Sequence, residues 1–409
     1  MKPAIGFGAR LGALIAYLTD VEGRWDKLTS FTDGNPHVWL EGTALRLADS
    51  VTFVFGGDAI DRGPHGRRIV ALLLAARRDY GERVVLLAGN RDINKLRLVR
   101  ELTGAPPRRA PTTGTRGALL RWIFANTMGA PDAFAHRATE LAASGHPADD
   151  DAVVQSYLDD LAPGGALRAY LGECRLGFRA GATLFLHGGV TAENFGVVPG
   201  APAAPDVDAW VAALDRFYRN ELAAFAAGHA PTELIAYQAP EPGTHENQRS
   251  VVYARPTDEL GNPHLPDEEV IARLAASGIG RLVVGHTPSG DCPAVVRDGA
   301  FELVLADNSY GRIELGSQLA FTDEELHVHA TTELDNGSRE IVRYTSARAD
   351  VASPLGRRDG ETAQLVKARL ASGDYLLFRG LPEHHVEQIA ARADDVMRRS
   401  LVVVRDRGG

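Results

Sequence analysis

The 409-residue chain is 44% hydrophobic and 24% charged, the composition of a globular protein and not of a disordered one. Its formal net charge of −9 offers no basic field to nucleic acid or an anionic membrane, and neither is expected as a partner. With Cys174 and Cys292 as its only cysteines, the chain has neither a disulfide framework nor a Cys-based zinc site, and a reducing cytoplasm is the expected compartment.

The opening segment MKPAIGFGARLGALIAYLTD has the apolar look of a signal peptide, but Arg10 interrupts the run and no small-residue cleavage site precedes Asp20. Leu14 to Leu18 reads as a core strand. Gly6, Gly8 and Gly12 precede that strand instead of following it, which sets aside a dinucleotide loop. No run of about 18 apolar residues occurs, so no membrane span is expected. From Leu14 to Asn90 the pattern is strand, loop, strand, helix, strand (LIAYLTD, VTFVFGGD, GRRIVALLLAARRDY, ERVVLLAGN), the signature of a βαβ unit with buried strands. Each strand ends in a metal-capable side chain, Asp20, Asp58 or Asn90, and in open α/β sheets such strand ends share one crevice.

Ile93 to Leu171 breaks this rhythm with amphipathic patterns such as LLRWIFANTM and DDAVVQSYLDDL, read as a helical insertion covering one side of the crevice. The stretch CRLGFRAGATLFLHGGV reads as a hairpin turning at Ala180-Gly181 and ending in His187-Gly188-Gly189. A helix around Ala209 to Ala227, an irregular segment through Pro263, the helix DEEVIARLAASG and the strand RLVVGHTP follow. Next come a hairpin turning at Asp298-Gly299 and another at Asp335-Asn336-Gly337, where Asn-Gly tolerates positive φ. SPLGRRDGE reads as a linker, and the tail as strand, helix, strand (YLLFRG, EHHVEQIAARADDVMRR, SLVVVRD). The expected division is therefore residues 1–350 and a small α/β extension at 351–409.

The candidates for chemistry, in chain order, are Asp20 in DVEG, Asp58 and Asp61-Arg62 in GGDAIDRG, Asn90 in GNRD, His187 in HGG and His286 in GHTP. Hard oxygen donors with two imidazoles suit a pair of divalent cations, and the flanking glycines allow sharp turns. His327 and His329 alternate along one edge strand, and His384-His385 read as a solvated helix. Asp307-Asn308-Ser309 carries no assigned chemistry. No GxxxxGKS or GxxxxGKT occurs, which excludes a P-loop.

This ordered set resembles the motifs GDxHG, GDxxDRG, GNHE, HGG and GH of the calcineurin-like metallophosphoesterases, and the phosphoprotein phosphatase branch in particular. The resemblance runs from about Leu14 to Gly311. It implies a β-sandwich flanked by helices, two divalent cations (Mn²⁺ or Mg²⁺ expected, Fe or Zn possible) and hydrolysis of a phosphomonoester by a hydroxide bridging them. Asp20 and Asp58 would hold the first cation, with Glu22 either a further ligand or a hydrogen-bond partner of a metal-bound water. Asp58 would bridge to a second, completed by Asn90, His187 and His286. Arg62 would grip the substrate phosphate as a planar fork, with Arg249 and Arg255 as two candidates for one further phosphate-binding arginine. Two departures stand out: Glu22 and Arg91 occupy places where the family has histidines. Arg91 cannot act as a general acid, so it is expected beside Asp61 as a fixed charge on the phosphoryl group. The implied substrate is a small phosphorylated metabolite or nucleotide. A dinucleoside polyphosphate pyrophosphohydrolase and a degenerate member that only binds a phospho-ligand or protein are the alternatives.

Overall fold

Leu14–Leu18, Val51–Phe55 and Val84–Leu87 pair in parallel, one beside the next, and Gly66–Tyr80 is the crossover helix between the last two. These strands are almost wholly buried, as their continuous apolar runs require of a parallel sheet covered on both faces. The computed structural model describes residues 14–111 and 113–405. The expectations about Arg10 and the glycines before Leu14 lie outside those residues.

The parallel strands form the middle of a seven-stranded sheet ordered Arg339–Ala347, Glu325–Glu333, Gln318–Phe321, Leu14–Leu18, Val51–Phe55, Val84–Leu87, Cys174–Arg175. A second sheet, ordered Ala294–Asp298, Phe301–Leu305, Arg281–Val284, Thr183–Leu186, Gly177–Ala180, packs against it. Ile15, Tyr17, Val54, Val85 and Leu87 meet Phe185, Val283, Val295 and Val304 in one core, and Tyr17 stacks on Phe185 at 5.6 Å. Burial of each such side chain is worth roughly 1.5–3 kcal/mol. The other face of the first sheet, with Ala16, Leu18, Phe53, Phe55 and Leu86, packs on helical residues such as Ile69 and Leu73. The fold is thus the expected α/β sandwich flanked by helices.

The insertion is helical as expected, with helices at Arg97–Thr103, Arg116–Thr127, Ala133–Ala143, Asp150–Leu161 and Ala166–Glu173. Thr115 and Asp149 cap two of them, their side chains accepting from the Ala118 and Ala152 amides. Glu140 fastens the insertion to the crossover helix by accepting from the Arg67 and Arg68 amides at 3.1 and 3.0 Å. The helix Trp25–Thr32 and the hairpin of Val38–Glu41 and Ala44–Leu47 were not expected from periodicity. Two hairpins turn one residue later than expected: Ala180 pairs with Thr183 and Asp298 with Phe301, leaving Gly181-Ala182 and Gly299-Ala300 as the turns.

The tail departs most from expectation. Val386–Ala391, read as helix, is a strand paired with all six residues of Tyr375–Gly380, and helix is confined to Ala393–Val396. The linker SPLGRRDGE contributes the strand Arg357–Asp359. With Leu365–Arg369 and Leu401–Val403 these make a five-stranded sheet. The strand wins because the buried Gln388 needs partners: its amide donates to Asp291 Oδ2 at 2.9 Å and Glu333 O at 2.7 Å. His385 is exposed ahead of that strand and not on a helix. No helix among the described residues is long and apolar enough to cross a membrane.

Candidate active site

Strand ends from both main sheets deliver the side chains, and the backbone is contorted where they turn. Ten described non-glycine residues have positive φ, and seven of them lie here: Asp20, Glu22, Asp58, Asp61, His286, Tyr310 and Glu314. Each such residue costs on the order of 1–3 kcal/mol and persists only where its surroundings hold it. Close approach explains the glycines: a Cβ on Gly57 would stand 2.7 Å from the Gly89 amide and 2.8 Å from His187 Nδ1. Side chains so packed leave no room there for alanine.

Asp58, His187 and His286 offer ligand atoms that lie within 4.8 Å of one another. Ring nitrogen Nδ1 of His187 is 2.8 Å from Gly56 O, which fixes the tautomer and turns Nε2 inward, 3.5 Å from Asp58 Oδ1 and 3.3 Å from Asn90 Oδ1. His286 Nε2 is buried and has no hydrogen-bond partner among the described residues. Burial, then the charge of Arg255, hold the His286 ring well below its ordinary pKa and therefore neutral. Burial also disfavours a charged His187, but the Asp58 and Asp20 carboxylates more than offset this and push its pKa up to about 10. Asp20 is raised well above the carboxylate range by burial and by the charge of Asp307. This surplus of buried negative charge beside an unpartnered imidazole nitrogen fits a divalent cation held by Asp58, His187 and His286, with Asn90 alongside.

Asp92, to which no role was given, supports that set from behind. Its carboxylate accepts from the amides of Asp58, Ala59 and Gly89 at 2.9, 2.9 and 3.0 Å, joining the ends of two strands. Lys27, also missed, is buried and donates to Asp20 O at 2.5 Å and Ser309 Oγ at 2.9 Å. A signal was present: the chain has four lysines among 44 basic residues, and Lys27, Lys95 and Lys367 are all buried. A compact ammonium fits where a guanidinium fork does not.

The remaining expected residues fall differently. Glu22, expected on the cation, has both oxygens taken by arginines: Oε1 by Arg91 Nε at 2.6 Å and Oε2 by Arg62 at 3.1 Å. Arg91, expected beside Asp61, instead donates to Tyr310 Oη at 2.8 Å and stands 3.6 Å from Asp58 Oδ2. Asp61 pairs with Lys95 at 2.5 Å, both side chains being inaccessible. Lys95 donates further to Arg91 O and Asn94 Oδ1, so the Asp61–Lys95 pair braces the loop. Arg62 stacks on Tyr310, 3.6 Å from the ring centre, and reaches Glu314 at 3.3 Å. Arg249 is exposed and paired with Glu193 and Glu241. Arg255 is half-buried, close enough to His286 to act on it, and is the better placed of the two.

No family model and no curated protein matches the sequence. Among solved structures, the fold is similar to a cold-active protein-tyrosine phosphatase of a psychrophilic Shewanella species (17% identity, TM-score 0.44, 81% of this chain and 80% of that one). It is also similar to a protein serine/threonine phosphatase from Saccharomyces cerevisiae (12%, 0.37, 76% and 73%) and to a metallophosphoesterase from Sphaerobacter thermophilus (11%, 0.31, 83% and 91%). At TM-scores below 0.5 none of these likenesses assigns a function.

Proposed function

We propose that the chain is a calcineurin-like metallophosphoesterase, a metal-dependent hydrolase of phosphoric esters. The observation that carries this is the convergence of Asp58, His187 and His286 beside a cluster of arginines at the carboxyl ends of the sandwich strands. A divalent cation there supplies Lewis-acid polarisation of phosphoryl oxygens. Arg62 at the crevice mouth and Arg255 near His286 are the groups suited to hold the phosphate's remaining charge. The substrate is a small phosphorylated metabolite or nucleotide. Arg91 reaches Gly129 O of the insertion at 3.4 Å, and the exposed Tyr310 overhangs Arg62, both of which support a narrow entrance.

A second reading, cleavage of a phosphoanhydride, is favoured by one feature. Asp61 is locked to Lys95 and the Arg91 guanidinium does not release a proton, so neither can protonate a leaving group. Absence of a general acid typically costs about 10²–10⁴ in rate for poor leaving groups, and phosphate is a good one. The test is a series of phosphate esters and anhydrides of graded leaving-group pKa. The expected result is a steep dependence, with aryl phosphates and anhydrides far ahead of alkyl phosphates. A flat series would mean that another side chain donates the proton. No turnover of any member with any divalent cation would sink the hydrolase reading.

A further inference from the structure

The two motif departures are not independent. Glu22 and Arg91 stand at the two positions where the resembling motifs carry histidine, 69 residues apart in sequence, and the fold joins them in an ion pair of 2.6 Å. The pair falls where a first cation would need its carboxylates. Arg91 Nε is 2.6 Å from Glu22 and 3.6 Å from Asp58 Oδ2, so the guanidinium stands between the two acids expected to share that cation. Glu22's other oxygen is held by Arg62. Asp20, the third expected ligand, accepts from Thr19 Oγ1 at 2.5 Å and from the His286 amide at 3.1 Å, and Lys27 lies on its carbonyl. Glu22 and Asp58 thus already face Arg62 and Arg91, and the ammonium of Lys27 lies 3.9 Å from Asp307. Unlike histidine, arginine cannot lose its proton to make way for a metal, and Tyr310 Oη anchors it from the other side. The residues at this first position therefore do not fit a cation, whereas the unpartnered His286 Nε2 leaves the second position open.

We propose that this protein binds one divalent cation per chain, on Asp58, His187 and His286, and that the Glu22–Arg91 pair takes the place of the other. This deepens the metallophosphoesterase reading and rests on it. The fixed guanidinium supplies positive charge beside Asp58 without being exchangeable, so the site keeps that charge when metal is scarce.

The test is metal content and the Mn²⁺ electron paramagnetic resonance spectrum of the full chain, stripped with chelator and reloaded with Mn²⁺ alone. The expected wild-type result is one ion per chain with the six-line spectrum of an isolated ion, falling to none in His286→Ala. The double variant Glu22→His/Arg91→His is expected to rise to two ions with the broadened spectrum of a coupled pair. Arg91→Gln, which keeps the side chain's bulk without its charge, checks the same point should the double variant fail to fold. Two coupled ions in the wild type would overturn the proposal and leave the metallophosphoesterase reading intact. Persistence of a single ion in folded variants that lack Arg91 would also overturn it, since something else would then be excluding the second ion. No bound ion in the wild type would overturn both.

Discussion

Lys95 shows what one buried charge does for this site. Its ammonium meets Asp61 at 2.5 Å, the Arg91 carbonyl at 2.9 Å and Asn94 Oδ1 at 2.7 Å, so each of its three protons has a partner. It therefore ties the loop bearing Arg62 to the turn bearing Asn90 and Arg91. Lys95→Met leaves Asp61 as an unpaired buried carboxylate and is expected to cost about 3–5 kcal/mol. Asp61→Asn/Lys95→Met should recover much of that loss, which a double-mutant cycle in urea unfolding measures. If the two single losses simply add, the pair is not coupled as the structure has it. The sequence made the donors legible, because Asp58, His187 and His286 each stand at the end of an apolar strand, Asp58 preceded by Gly56-Gly57 and the histidines followed by glycine or Thr-Pro. It did not reveal which cation Asp61 would meet. That depends on a one-turn helix, Asn90–Ile93, which carries Arg91 toward Glu22, and on the 3-10 turn Asn94–Leu96 after it, which carries Lys95 inward.

Among the elements, parallel strands and amphipathic helices were readable from periodicity, and the tail was not. EHHVEQIAARADDVMRR has the composition of a helix, yet Val386–Ala391 pairs along its full length with a neighbour strand and buries Gln388 on Asp291. Long-range pairing overrides local propensity, and nothing in the window announces the partner. The contact between insertion and crossover helix is of the same kind. Glu140 accepts from two first-turn amides of Gly66–Tyr80, a capping role supplied from 73 residues away. Glu140→Ala is expected to lower stability by roughly 1–2 kcal/mol and to raise protease sensitivity within 97–173. An unchanged urea midpoint would show that water serves those amides as well.

In the whole molecule, the expected division near residue 351 meets a shared core. Val366, Leu376 and Leu377 of the tail sheet pack with Val295, Leu326 and Val342 of the sandwich sheets, and Lys367, fully buried, donates to Ser289 O just beyond the GHTP motif. Leu265 N also donates to Val404 O at 3.0 Å. We therefore propose that the tail is an integral layer, and that a chain ending at residue 350 exposes that core and aggregates on expression. A soluble, cooperatively melting 1–350 fragment would restore the two-part division.

Hydrolysis by this site requires the cation held by Asp58, His187 and His286. Its most direct test is phosphate release from p-nitrophenyl phosphate by chelator-stripped protein as Mn²⁺ or Mg²⁺ is added back. The predicted result is no release without metal, saturable recovery on addition, and none in His286→Ala at any metal concentration. Release that ignores the chelator, or that returns fully in His286→Ala, would contradict it.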